Sequence, residues 1–245
     1  MKAMIFAAGL GTRLRPLTDR MPKALVPVGG VPALQRVIES VAAAGINDVV
    51  INVHHFSQMI RDFLAAHHNF GIDIRVSDES DQLLDTGGGL LKALPLTGDE
   101  PVLLHNADIA TDLDLGEMVR AFDRDCCDAL LLTADRQSSR KLLFDDSGMM
   151  RGWKNTGTGE TRPDGIDDSC LHPLAFGGIH IMSPSLFPAL ERYGRSHGPV
   201  FSITPFYISA CGGAAIRSYT PAERYRWFDI GRPASLAEAG ETFRK

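Results

Sequence analysis

The N-terminal stretch 2–23 reads KAMIFAAGLGTRLRPLTDRMPK. Its beginning, Lys2–Phe6, is an apolar run that predicts a short buried strand. Gly9 and Gly11 follow, and paired glycines let backbone amides approach a phosphate closely. The loop is not a P-loop, because it lacks Gly-Lys-Ser/Thr, and Leu14 stands where a dinucleotide-binding loop has its third glycine. The stretch therefore predicts a strand that opens into an anion-binding loop, although two such glycines are also typical of a plain tight turn.

The basic residues of the chain are concentrated at this end. The 245 residues carry a formal net charge of −5, yet residues 1–25 contain five basic side chains and a single aspartate. A chain with a net negative charge does not suit a general polyanion partner, so we expect no nucleic-acid binding. The local cluster favours a site for a small anion.

Strand and helix signals alternate through the first half of the chain. Apolar runs bounded by turn residues predict strands, and apolar residues at helical spacing predict helices. The predicted strands are 2–6, 48–53, 72–77, 102–106 and 129–133, and the predicted helices are 32–44, 57–67, 86–93 and 115–127. Such alternation is typical of a parallel sheet covered on both faces, which binds ligands outside the carboxyl ends of its strands. We therefore expect the residues after Phe6, Val53, Ser77 and Asn106 to share one edge.

The second half has a different pattern. Residues 136–171 are polar and rich in glycine, aspartate and threonine, which predicts short strands in a long excursion. Apolar segments resume at 174–182 and 184–190, and a last helix is predicted at 233–243. No linker composition interrupts the chain. We expect one α/β domain over 1–245, with a three-layer, Rossmann-like, mostly parallel sheet and an inserted substrate-facing lobe.

Acidic residues mark two candidate positions for chemistry. Asp108 directly follows the predicted strand 102–106, at the edge where ligands of such sheets bind. Its position alone suits a solvated or helix-capping aspartate equally well. A second acid, Asp229, lies in the segment RWFDIG at 226–231. The triple glycine in DTGGG, at 85–89, is by itself typical of a flexible turn.

Together these segments resemble one family. From Gly9 to Lys23 the chain matches every fixed position of G-x-G-T-R-[LM]-x-P-L-T-x-x-x-P-K, the signature of the sugar-1-phosphate nucleotidyltransferases. The segment HNAD is similar to the family's N-G-D, with Ala107 in place of glycine, and 226–231 resembles W-x-D-[IV]-G. The segment FGGI, at 176–179, resembles the family's F-x-G-I/L. The resemblance extends over almost the whole chain.

The resemblance implies a nucleoside triphosphate held over the first loop. It implies that Arg13 meets the β- and γ-phosphates, that Lys23 meets the reacting phosphates, and that Asp108 and Asp229 hold Mg²⁺; these four are the implied catalytic residues. Two carboxylates with phosphate oxygens suit this hard cation. The implied nucleotide-binding residues are Ala7, Ala8, Gly9, Gly11, Thr12, Arg13, Lys23, Glu79, Gly87, Gly88 and Asn106.

The resemblance also implies a sugar-phosphate side of the site. The backbone near Gly178 corresponds to the strand that faces the sugar. Lys154 lies where many relatives have E-K-P, although Trp153 and Asn155 both depart from that pattern, and a plain solvated lysine is the alternative. We expect residues 1–135 to bind mainly the nucleotide and residues 136–245 mainly the sugar phosphate.

The implied reaction is NTP plus sugar 1-phosphate giving NDP-sugar plus pyrophosphate. Uridylyl or guanylyl transfer to N-acetylmuramate 1-phosphate or mannose 1-phosphate fits the likeness best, in sugar-nucleotide biosynthesis for the cell wall. One alternative is a cytidylyltransferase for a non-sugar phosphate such as phosphocholine. Another is a non-catalytic nucleotide-binding regulator, against which the joint presence of Arg13, Lys23, Asp108 and Asp229 speaks. The base and the sugar stay open.

Other features set expectations about location and partners. The four cysteines form no CxxC pair in a chain too long to depend on disulfides, which favours the cytoplasm. No apolar run approaches the ~18 residues of a membrane span, so no membrane partner is expected. A monomer or a homodimer is expected. Hexapeptide repeats are absent from the sequence, so no β-helix acyltransferase domain is expected.

Overall fold

The computed structural model describes residues 1–125 and 127–244. The strands in chain order are β1 (Lys2–Phe6), β2 (Pro27–Val28), β3 (Val31–Pro32), β4 (Asp48–Val53), β5 (Asp73–Asp78), β6 (Val102–Asn106), β7 (Ile109–Thr111), β8 (Ala129–Ala134), β9 (Arg140–Phe144), β10 (Met150–Asn155), β11 (Thr161–Arg162), β12 (His172–Met182), β13 (Ile216–Tyr219) and β14 (Trp227–Asp229). The α-helices are α1 (Ala33–Ala43), α2 (Ser57–Ala66), α3 (Asp85–Thr97), α4 (Leu115–Asp125), α5 (Phe187–His197), α6 (Ile203–Ala210) and α7 (Pro233–Thr242).

A twisted central sheet organises the described residues. Its strand order is β11-β10-β9-β12-β6-β1-β4-β5, and β8 and β13 extend it beside β12. β1 pairs in parallel with both β4 and β6, β4 pairs in parallel with β5, and β8 pairs in parallel with β13. β12 is antiparallel to both β6 and β8, so β8 has the same direction as the parallel strands. The expected α/β sheet, with most central strands in one direction, is confirmed.

Alternation along the strands builds a core on each face of the sheet. In β1, Ala3 and Ile5 join a cluster formed with α1, α2 and α4, whereas Met4 and Phe6 join one formed with α3, α5 and α6. Successive strand residues point to opposite faces, so a strand covered on both sides is apolar throughout. The result is the three-layer arrangement that the sequence predicted. A smaller cluster packs α7 against β2 and the β7–β14 ribbon.

The expected lobe is formed by β9, β10, β11 and the first half of β12. β9 pairs with the beginning of β12, whereas the end of β12 pairs with β6 and β8. The register of β12 against β8 shifts between Phe176 and His180, and Gly178 there has φ +71. Because glycine alone adopts such backbone readily, β12 bends at this bulge and leaves the central sheet.

Element positions agree with the sequence where apolar runs are continuous. β1, β4 and β6 have the predicted bounds. The sequence predicted neither α6 nor the strands β7, β13 and β14. The predicted helix 115–127 ends at Asp125 as described, and Cys126 lies outside the described residues. In the described part of the chain, no helix is long and apolar enough to cross a membrane.

Candidate active site

A cavity of about 320 Å³ lies at the carboxyl edge of β1, β4, β5 and β6. This is the edge at which the sequence analysis expected the strand ends to meet. The predicted nucleotide-binding residues on its wall are Ala7, Ala8, Gly9, Lys23, Glu79 and Asn106. Asp108 also lines it, together with Thr86 and Val200. The cavity therefore brings six of the implied nucleotide ligands and one implied metal ligand into one space.

A buried polar network fixes the floor of this cavity. The Ala7 amide donates to Asn52 Oδ1 at 2.7 Å, and Asn52 Nδ2 donates to Glu79 Oε1 at 2.7 Å. The Leu84 amide donates to Glu79 Oε2 at 3.1 Å. Asn52 is 2% exposed and Glu79 is fully buried, so both side chains are committed to the protein. Glu79 therefore shapes the loop before α3 as well as lining the cavity, and its contact with a nucleotide stays a prediction.

Sequence reasoning missed Asn52. It lies near the end of the otherwise apolar strand DVVINV, and a lone amide side chain in such a strand was the one sequence feature that pointed to a buried polar role. Close packing explains the glycine beside it, because a Cβ on Gly89 would lie 2.8 Å from Glu79 Oε1 and 3.0 Å from Asn52 Nδ2. The third glycine of the triple-glycine segment thus makes room for the network.

The first loop is tied back to the residues that follow it. Gly11 has φ +64, and Thr18 Oγ1 donates to its carbonyl oxygen at 2.8 Å. A Cβ on Gly11 would lie 2.9 Å from both Lys23 Cβ and Thr18 Cγ2. Both the backbone conformation and the space therefore require glycine. Gly11 packs the loop against Lys23, and neither Gly11 nor Thr12 lines the cavity.

Lys23 is the centre of a charged cluster. Its side chain is 9% exposed, and its Nζ donates to the carboxylate of Asp108. A Cβ on Gly231 would lie between 2.7 and 2.9 Å from Arg13 Nη2, Asp229 Oδ1 and Lys23 Nζ. The three side chains therefore converge on the bare backbone of Gly231. All four implied catalytic residues belong to this cluster.

The pairing of two short strands explains how distant acids meet. β14 is antiparallel to β7, with Asp229 opposite Ile109, and the Ile230 amide donates to the Asp108 carbonyl oxygen at 3.0 Å. Asp229 Oδ1 in turn accepts from the Gly231 amide at 2.9 Å. The ribbon thus places both acids at the carboxyl end of β6.

The two carboxylates fit a hard divalent cation. Mg²⁺ is usually bound through one or two carboxylates together with substrate phosphates, so Asp108 and Asp229 are a suitable donor pair. Across residues 1–125 and 127–244, no group of three His, Cys, Asp or Glu side chains is arranged to hold a metal. A metal at these acids would take its remaining ligands from phosphate oxygens and water.

Other predicted residues lie away from the cavity wall. A Cβ on Gly87 would collide with the ring of Phe201, and one on Gly88 would collide with the carbonyl oxygen of Pro199. The amides of both glycines donate to the Phe201 carbonyl oxygen, at 2.9 and 3.1 Å. These two glycines pack α3 against the segment 199–201, and Thr86 faces the cavity instead.

The residues predicted for the sugar phosphate are placed differently from each other. Gly178 lies at the bulge of β12, where a Cβ would be 2.9 Å from Asn106 Nδ2, so it adjoins the cavity at the strand ends. Lys154 forms an ion pair with Asp168. Because Lys154 alternates with Trp153 and Asn155 along β10, it points to the opposite face of the lobe from them.

Arg136 is a further residue that sequence reasoning missed. Its guanidinium lies 3.7 Å from the centroid of the Trp227 ring and donates to the Phe176 carbonyl oxygen. Burial lowers the pKa of Arg136, and the nearby Asp229 opposes that effect. Trp227 Nε1 donates to the Gly177 carbonyl oxygen at 2.9 Å. Arg136 and Trp227 therefore join the bulge of β12 to the strand that carries Asp229.

Comparison with known proteins identifies relatives. Residues 2–142 match the sequence model of the family described as nucleotidyl transferase. N-acetylmuramate alpha-1-phosphate uridylyltransferase of Caulobacter vibrioides is 32% identical over 97% of each chain. The protein of that name from Neisseria meningitidis is 31% identical over 98% of this chain and 96% of its own. A mannose-1-phosphate guanyltransferase of Neurospora crassa is 29% identical, and the alignment covers 95% of this chain but 61% of that protein.

A solved structure agrees on the fold. The chain superimposes on UDP-glucose pyrophosphorylase complexed with UDP-glucose with a TM-score of 0.79 and 20% identity, over 99% of this chain and 98% of that one. Identity at this level supports a common fold and nothing finer. The family pattern, by contrast, spans more than half of the chain, and two relatives above 30% identity align along nearly its entire length. The chain therefore belongs to the nucleotidyl transferase family.

Proposed function

We propose that this protein joins UTP and N-acetylmuramate 1-phosphate, giving the UDP-sugar and pyrophosphate. The observation that carries the proposal is the charged cluster at the mouth of the cavity, in which Lys23 contacts Asp108 and converges with Arg13 and Asp229 on Gly231. Preplaced cations beside a cavity are what phosphoryl chemistry of this kind needs. The two nearly full-length relatives support uridylyl transfer to this sugar phosphate.

The proposed reaction needs no general base. An oxygen of the acceptor phosphate, already anionic, forms a bond to the α-phosphorus of UTP. The bond from that phosphorus to the oxygen bridging to the β-phosphate breaks, and pyrophosphate leaves with the electron pair. Arg13 and Lys23 oppose the negative charge that gathers on the leaving group. Asn52 holds the Ala7 amide and so sets the shape of the loop beneath the phosphates.

We propose that Mg²⁺ serves as the cofactor, held by Asp108 and Asp229. When bound, it would neutralise phosphate charge and orient the phosphates for in-line displacement. Lys23 also contributes positive charge beside Asp108. We further propose the cytoplasm as the location, residues 1–135 as mainly the nucleotide half and residues 136–245 as mainly the sugar-phosphate half.

Guanylyl transfer to mannose 1-phosphate is the second candidate, because the Neurospora crassa relative aligns over most of this chain. Pyrophosphate release over a grid of four nucleoside triphosphates and several acceptors decides between them. The acceptors are the 1-phosphates of N-acetylmuramate, N-acetylglucosamine, mannose and glucose, with phosphocholine as a non-sugar arm. We expect the highest kcat/KM with UTP and N-acetylmuramate 1-phosphate. Nucleotide binding without pyrophosphate release from any pair would contradict the proposed function.

A further inference from the structure

A second cavity, of about 510 Å³, lies in the lobe between β9, β10 and α6, and we refer to it as the lobe cavity. Trp153 and Phe176 provide apolar surface on its wall, and Arg140, Asn155 and Thr204 provide polar groups. A mainly apolar space with a few convergent polar groups is typical of a small-molecule site. Neither the charged cluster nor Lys154 belongs to its wall.

The lobe cavity adjoins the nucleotide cavity. Thr86 lines the nucleotide cavity and Ser202 lines the lobe cavity, and their hydroxyl oxygens are 3.4 Å apart. The Ile203 amide, at the start of α6, donates to Thr86 Oγ1 at 3.0 Å. On the other side, Phe176 is followed by the bulge that brings Gly178 against Asn106. One molecule bound at the charged cluster could therefore extend into the lobe cavity.

The two arginines of the lobe cavity differ in their partners. Arg162 Nη2 donates to Glu160 Oε1 at 2.9 Å, so that pair is close to neutral. Among the described side chains, those of residues 1–122 and 127–244, no carboxylate forms an ion pair with the guanidinium of Arg140, which lies on β9 opposite Asn155 of β10. The lobe cavity thus carries one uncompensated positive charge with an amide next to it. Arginine matches the planar geometry of a carboxylate.

We propose that the lobe cavity selects an acceptor whose sugar carries a carboxylate, and that Arg140 is the residue that recognises it. This inference rests on the proposed function. A hexose 1-phosphate has a single phosphate, and that phosphate is needed at the charged cluster beside Lys23 and Asp108. A second anionic group on the same molecule would complement the cation in the lobe cavity, and the carboxylate of the lactyl ether of N-acetylmuramate is such a group. Trp153 and Phe176 would pack against the apolar parts of the sugar.

The test compares two acceptors that differ only in this ether, N-acetylmuramate 1-phosphate and N-acetylglucosamine 1-phosphate. Steady-state kinetics are measured with wild type, Arg140→Gln and Arg140→Lys. Arg195→Gln, which removes an exposed arginine of α5, is the matched control. Binding of each acceptor is also measured by calorimetry in the presence of a non-hydrolysable UTP analogue, which provides a readout without turnover.

We expect Arg140→Gln to weaken binding and kcat/KM for the carboxylate-bearing acceptor by about ten- to a hundredfold, the range for a charge-assisted hydrogen bond. The variant should leave N-acetylglucosamine 1-phosphate within about twofold of wild type, and Arg140→Lys should recover part of the preference. Equal use of both acceptors by wild type, or equal losses for both in Arg140→Gln, would overturn this inference and leave the proposed function intact. Absence of turnover with every sugar 1-phosphate would instead contradict the proposed function.

Discussion

Removal of the Asn52 side chain is the most direct test of how the nucleotide cavity is held. Asn52 accepts from the Ala7 amide and donates to Glu79, each at 2.7 Å. Asn52→Ala would leave the Ala7 amide without its acceptor and Glu79 Oε1 without its donor, while Glu79 Oε2 keeps the Leu84 amide. Glu79 is fully buried and Ala7 is 5% exposed, so little solvent reaches either group.

The expected loss of stability comes from the Ala7 amide and the Glu79 carboxylate, each of which loses a hydrogen bond to Asn52. A buried polar group that loses its partner costs roughly 1–3 kcal/mol, and more if it is charged. Two such groups, one of them a carboxylate, give a loss of about 4 kcal/mol. At about 2–4 °C per kcal/mol for a domain of this size, the thermal midpoint should fall by about 12 °C. The loop at Ala7 would also lose its anchor, so KM for the nucleotide should rise.

The measurement is chemical unfolding together with KM for UTP. Gln58→Ala provides a matched control, because Gln58 makes the same kind of amide-to-carboxylate hydrogen bond, at 2.7 Å to Asp62, on an exposed helix face. That control should change the free energy of unfolding by less than about 0.5 kcal/mol. If Asn52→Ala costs no more than Gln58→Ala, the reasoning that the buried network fixes the floor of the cavity is wrong.

Three further predictions concern the charged cluster and the buried histidines. Asp108→Asn should lower turnover by about 10²–10³-fold while circular dichroism stays unchanged, and wild-type rates would refute the metal assignment. Gly231→Ala places a methyl group among three charged side chains and should reduce kcat/KM at least about tenfold; an unchanged kcat/KM would mean that this convergence is not needed. Burial lowers the pKa of His105 to about 4 and that of His180 to about 3. The unfolded chain therefore binds more protons than the folded chain below about pH 6.5. The free energy of unfolding, measured in urea, should fall by about 3 kcal/mol between pH 7.5 and 5.5. In His180→Phe this pH-dependent fall should be about half as large, because one of the two buried histidines is gone.

Local sequence patterns predicted the parts of the molecule that local chemistry determines. β1, β4 and β6 are continuous apolar runs between turn residues, and burial on both faces requires such runs. Since parallel strands end at one edge, the position of the nucleotide cavity follows from the same patterns. Gly11 was identifiable from the pair of glycines in its loop, and the structure gives it a left-handed backbone next to Lys23.

Long-range packing decided what the sequence analysis missed. The meeting of Asp108 and Asp229 depends on β7 and β14, which have three residues each and carry no periodicity that could be read. Gly87 has no room for a side chain because the Phe201 ring packs against it, and no sequence pattern near residue 87 predicts that contact. In the sequence, Arg136 is one of many polar residues in the segment 136–171, and only the structure shows that its guanidinium stacks on the Trp227 ring.

The bend of β12 separates the central sheet from the lobe, so the two parts can be changed separately. One end of this strand is held among the central strands, and the other belongs to the lobe, so substitutions in β9 and β10 alter the acceptor wall without disturbing the pairing of β6 with β1. The cavity at the other end of the sheet is held by the hydrogen bonds of Asn52 and Glu79. Under the proposed function, the lobe is therefore the part of this scaffold to exchange when a different sugar is wanted, because its strands can be replaced without touching the charged cluster.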